Sequence, residues 1–128
     1  MTGPRISRQR GEAPDSALDF AYLARQTLDD AELQHELLRA FLAQAEGILR
    51  QLQRPNPLTP PKKANFAHLL KGSALAIGAG RVAAAAEVLE IGIWKKDGGE
   101  DAALTELAAS IAEASDAIDL FFARQSGK

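Results

Sequence analysis

The chain contains no cysteine, which removes disulfide frameworks, Cys-ligated zinc, iron–sulfur clusters and thiol nucleophiles from consideration. Aromatic residues make up 5% of its 128 residues, so a core has to be assembled from Leu, Ile and many alanines. Side chains of that size suit closely packed helices better than a pleated sheet. Neither sign of charge dominates: 15 Lys and Arg stand against 17 Asp and Glu, a formal net charge of −2. That balance lacks the basic footprint of a nucleic-acid-binding protein. Long apolar runs are missing too. The run Val82 to Ala86 is cut by Glu87 and Glu90, far short of the ~20 residues a membrane span requires. Arg5, Arg8 and Arg10 are followed by no apolar stretch, unlike a secretory leader. Two histidines without a His-Glu-x-x-His pattern give no basis for a metal site. These absences predict a small, soluble helical protein of a reducing compartment, with neither nucleic acid nor membrane as a partner; a cytoplasmic monomer is expected.

What is present reads as helices. Residues 1–14, with Gly3, Pro4, Gly11 and Pro14, carry no periodicity and are expected to form a flexible tail. Residues 15–126 are expected to form one domain. Asp15 or Ser16 can cap a short first helix carrying Leu18, Tyr22 and Leu23. Asp29 or Asp30 can cap a second, with Leu33, Leu37, Phe41, Ile48 and Leu52 as its apolar stripe. Pro55, Pro57, Pro60 and Pro61 end it by Arg54. A third helix is predicted over Pro61 to Ile77, broken by Gly78 and Gly80, and a fourth over Arg81 to Lys96, stopped by Asp97-Gly98-Gly99. The fifth is predicted over Glu100 to Arg124, with Leu104, Leu107, Ile111, Ile118 and Phe122 facing inward. Four long helices joined by short connections imply an all-α fold, an antiparallel four-helix bundle with a short additional N-terminal helix.

The third helix has an unusual outer face. At about 100° per residue, Phe66, Ala67, Leu70, Ala74 and Ile77 share the inner side. Ala64, His68, Lys71, Gly72 and Leu75 share the other, where a solvated helix carries Glu, Lys and Gln. Gly72 inside a helix costs about 1 kcal/mol relative to Ala, so something other than helix stability favours it. Without a side chain beside His68, another molecule can approach the ring. On the fourth helix Val82, Ala86, Leu89 and Ile93 face inward, while Glu87, Glu90 and Trp94 form an outer stripe. Trp94 fits either a docking surface or the edge of the core. His68 lies about ten residues before the Gly78-Ala79 turn and Glu90 about eleven after it, each ~15–17 Å away at ~1.5 Å per residue. Antiparallel packing then sets Glu90 at the height of His68, where its carboxylate can accept from Nδ1–H and leave Nε2 as a nucleophile. Lys62, Lys63, Arg81, Lys95 and Lys96 are expected to form a cationic rim. His35 lies opposite its helix's apolar stripe and is expected to be solvated.

The run Ala67-His68-Leu69-Leu70-Lys71-Gly72-Ser73-Ala74, followed by Gly78-Ala79, Val82, Leu89 and Glu90, resembles the histidine phosphotransfer (HPt) domain. Such domains carry a phosphoryl group on one histidine between receiver domains of bacterial and fungal phosphorelays. The resemblance covers the third and fourth helices, and loosely the second through Leu37, Leu38 and Phe41. It implies that His68 is the phosphoacceptor, that Lys71 stabilises the phosphoryl group, and that Gly72 clears space for the receiver. Glu90, which orients His68, stands where family members often have Gln or another polar residue. Ala64, Gly72, Leu75, Glu87 and Trp94 are the expected docking residues. The implied partners are receiver domains of a hybrid histidine kinase and of a response regulator. The chain is then a phosphocarrier with no cofactor of its own and no autonomous kinase or phosphatase activity, and Mg²⁺ is expected in the partner receiver. Two other readings fit the residues: an interaction module that binds receivers without carrying phosphate, and a substrate domain phosphorylated directly by a sensor kinase.

Overall fold

A computed structural model describes residues 17–55 and 58–126. The expected tail over residues 1–14, the capping choice between Asp15 and Ser16, and Pro57 lie outside the described residues. Among the described residues the fold is all-α, with five helices and no strand. Helix α1 spans Phe20–Gln26, α2 Ala31–Leu52, α3 Pro60–Ile77, α4 Gly80–Lys95 and α5 Glu100–Ser126. None of them is long and apolar enough to cross a membrane.

Local chemistry sets the helix ends. Asp19 caps α1 by accepting from the Tyr22 amide at 2.9 Å. Asp30 caps α2 by accepting from Leu33 at 3.1 Å, satisfying donors that the first turn leaves unpaired. Between these helices Leu28 and Asp29 both adopt positive φ, which reverses the chain in very few residues. Pro60 and Pro61 open α3, where the missing amide hydrogen is harmless. Helix α3 ends on Gly78 in the left-handed region, φ +85°. A Cβ there would sit 3.0 Å from the Asp19 carbonyl oxygen. Gly78 also accepts from the Asp19 amide at 2.9 Å, so the start of α1 is fastened to the α3–α4 turn.

The apolar stripe of α2 differs from the expected one. Gln34, Leu38, Phe41, Ala45 and Ile48 are buried, whereas Leu33 and Leu37 are each 37% exposed. The inward face keeps Phe41 and Ile48 but in its first turns moves by one residue, to Gln34 and Leu38, where Gln34 has a partner inside. Its amide donates to the Thr27 hydroxyl at 2.9 Å, and that hydroxyl donates to the Leu23 carbonyl at 2.8 Å. The same rotation turns His35 away from solvent. Contrary to the sequence expectation, His35 is partly buried and stacked on Phe122, with centroids 4.4 Å apart.

The helices pack in a circuit: α2 on α3, α3 on α4, α4 on α5, and α5 back on α2, with α1 resting against α3. Leu38, Leu70, Val82, Leu89, Leu107 and Ile118 fill its centre. Helices α3 and α4, which pack on each other, both bury alanines, Ala67 and Ala74 on one and Ala83 and Ala86 on the other. Side chains this small let helix axes approach toward the lower end of the usual ~8–10 Å. That close contact brings surface residues of the two helices within reach of each other.

Candidate functional site

His68 projects from the middle of α3 and its side chain is 68% exposed. Its Nδ1 lies 3.3 Å from Oε1 of Glu90 on α4, a long but acceptable hydrogen-bond distance. The Glu90 side chain is a quarter exposed and lines the concavity beside the ring. With Nδ1–H donating to the carboxylate, the ring's lone pair resides on Nε2, which has no hydrogen-bond partner among the described residues. An exposed imidazole in that tautomer offers Nε2 as a nucleophile.

Lys71 follows His68 by three residues, so the two share a helix face. Its Nζ lies 3.9 Å from Oε1 of Glu87 on α4. Glu87 and Glu90 are themselves one turn apart, and the two pairs form parallel rungs across one groove. The exposed Glu87 is therefore first a partner of Lys71, a pairing that the same height match across the turn makes available in the sequence. Gly72 is exposed, and nothing lies within 4 Å of a Cβ built on it. No internal packing requires a glycine there, and the space above it opens beside His68.

A shallow concavity of about 540 Å³ adjoins the ring, lined by Pro61, Lys62, Ala64, Asn65, His68, Glu90 and Trp94. Trp94 is 55% exposed, so the indole belongs to the surface and not to the core. Leu75, two turns beyond His68, is exposed as expected. Ala64 departs from expectation: it is 4% exposed, covered by the close approach of the neighbouring helix although the wheel sets it on the outer face. It forms the floor of the concavity instead of a free docking point. Pro61, Lys62 and Asn65 complete the rim. Asn65 at three residues and Pro61 at seven before His68 share its helical face, and that spacing was available in the sequence.

The cationic rim is only partly present. Lys63 is half-buried and paired with Glu100, and Arg81 pairs with Glu113 at 2.9 Å. Both ties run to α5 and engage cations that the sequence pattern places at the solvent-facing rim. Lys62, Lys95 and Lys96 remain exposed near the end of the groove that carries Trp94. Comparison of the chain with known protein families, with curated proteins and with solved structures finds no match.

Proposed function

We propose that the chain is a phosphocarrier of a histidine–aspartate phosphorelay, an HPt-like domain that accepts a phosphoryl group on His68 and passes it to a receiver. The observation that carries this reading is the exposed His68 ring, bonded through Nδ1 to Glu90 and flanked by Gly72 over open space. On this reading residues 15–126 form one domain, the four long helices run antiparallel as a bundle, and the protein works in the cytoplasm as a monomer.

The reaction is an in-line displacement at phosphorus. Nε2 attacks the aspartyl phosphate of a receiver, the P–O bond breaks, and its electron pair leaves with the carboxylate. A second receiver carboxylate reverses the sequence. Charge spreads over the equatorial oxygens in the transition state. Lys71 supplies one positive group from this side, and the receiver supplies Mg²⁺. Glu90 holds the tautomer that makes Nε2 the nucleophile. Leu75, Glu87 and Trp94 border the receiver's footprint, Gly72 admits it, and Ala64 floors it. The partners are receiver domains of a hybrid histidine kinase and of a response regulator. The chain acts as a relay intermediate without kinase or phosphatase activity of its own.

The test is transfer from a phosphorylated receiver to the purified chain. His68→Gln is expected to fold normally and accept no acid-labile label. His35→Gln is expected to lose the contact with Phe122, and some stability with it, while still transferring. Labelling that persists in His68→Gln would overturn the assignment.

A further inference from the structure

Glu90 holds Nδ1 in the resting ring, and the same contact has a consequence for the phosphorylated one. When Nε2 attacks phosphorus with Nδ1–H already in place, the product is not a neutral ring. It is an N-phosphoimidazolium that carries the positive charge and keeps its proton on Nδ1. A carboxylate 3.3 Å from that nitrogen, three-quarters withdrawn from solvent, is a direct counter-ion for the charge. A neutral amide in its place would accept the hydrogen bond without balancing the charge.

Whether the proton stays decides how readily the phosphoryl group departs. With Nδ1 protonated, cleavage of the Nε2–P bond returns its electron pair to Nε2 and releases neutral imidazole. With Nδ1 deprotonated, the same cleavage must expel an imidazolate, a far poorer leaving group. We infer that Glu90 keeps the phosphorylated ring of His68 protonated on Nδ1, so that this carrier passes its phosphoryl group on quickly and stores it poorly. No proton then needs to move during either half of the relay.

Among the described residues no other charged side chain pairs with Nδ1. Lys71 is already engaged by Glu87 at 3.9 Å, and Lys62 lines the concavity. Glu90 is the group from α4 that meets the ring itself. It is a positioning residue here, acting through His68 and not on the substrate.

The inference rests on the phosphocarrier reading, and the experiment separates the two. Potassium phosphoramidate is a small phosphoryl donor that needs no receiver: its P–N bond breaks, ammonia leaves and Nε2–P forms. The parent, Glu90→Gln, Glu90→Ala and His68→Gln are treated with it. Loss of phosphohistidine is then followed by ³¹P NMR and intact mass over a pH series spanning neutrality. The parent is expected to lose the group about tenfold faster than Glu90→Gln near neutral pH, a barrier difference of about 1.4 kcal/mol. The Glu90→Gln profile should turn over at lower pH. Glu90→Gln, with the size and hydrogen-bonding reach of the parent side chain, separates charge from orientation. If Glu90→Gln matches the parent and only Glu90→Ala differs, orientation is the whole role and the inference fails while the phosphocarrier reading stands. If the parent takes up no more phosphoryl group than His68→Gln, both fail.

Discussion

Gly72 shows how a single residue can be read by weighing two costs. Helix propensity places Gly about 1 kcal/mol below Ala in a helix interior, and no contact within 4 Å of a built Cβ offsets that. Gly72→Ala is therefore expected to stabilise the fold by about 1 kcal/mol, raising the melting temperature by roughly 3–6 °C for a domain of this size. Calorimetry checks it. On the phosphocarrier reading, Gly72→Gln should also keep or raise the melting temperature, yet slow transfer from a receiver at least about tenfold, or ~1.4 kcal/mol of barrier. A well-folded Gly72→Gln protein with parent kinetics would remove the steric argument. The pairing of His68 with Glu90 is legible in the amino-acid sequence, because a rise of ~1.5 Å per residue on both sides of one turn fixes relative height. Burial at Ala64 is not. A helical wheel gives an angle, and an alanine on the outer face is covered or bare depending on how closely the neighbouring helix approaches.

At the scale of elements, the boundaries of α2, α3, α4 and α5 can be read to within a residue or two from Asp30, the proline cluster, Gly78 and the Asp97-Gly98-Gly99 stop. The inward face of α2 cannot. Ranking side chains by hydrophobicity selects Leu33 over Gln34, Leu37 then follows one turn on in place of Leu38, and the ranking fails where a buried polar residue has a remote partner. Here the partner is Thr27, itself buried, whose hydroxyl bridges Gln34 and Leu23. Thr27→Val keeps the shape but leaves the Gln34 amide without its acceptor, which should cost about 1–3 kcal/mol. Gln34→Leu should cost less, because the Thr27 hydroxyl still donates to Leu23. Adding Gln34→Leu to Thr27→Val should recover most of the loss, since no orphaned donor remains. Urea denaturation of the four proteins measures the coupling. Additive losses would mean that this bond does not determine which face of α2 turns inward.

Across the whole molecule, two ends of the structure do different work. Phe20 stacks on Phe121 at 4.9 Å and His35 on Phe122 at 4.4 Å, with Arg39 lying 5.4 Å from the Phe122 centroid. These contacts fasten the end of α5 to α1 and α2. Three of the five phenylalanines are used there, and Phe41 is buried in the core, which makes an exposed large ring elsewhere informative. Trp94 is the only tryptophan, and it is more than half exposed at the rim of the concavity beside His68. An indole left in water on a protein with so few aromatics is either idle or a contact, and its fluorescence distinguishes the two. On the phosphocarrier reading, adding a cognate receiver should bury the ring and shift its emission to the blue. The shift should be the same in His68→Gln, because docking precedes chemistry and does not require the nucleophile. Trp94→Ala should leave the melting temperature nearly unchanged, since an exposed ring contributes little to the core, while weakening receiver binding by about 1 kcal/mol or more, as a contact residue does. Calorimetric titration with the receiver measures that loss. Unchanged emission on addition of a receiver that accepts label from the parent protein would place Trp94 outside the footprint. Docking would then fall to Leu75 and the open face around Gly72.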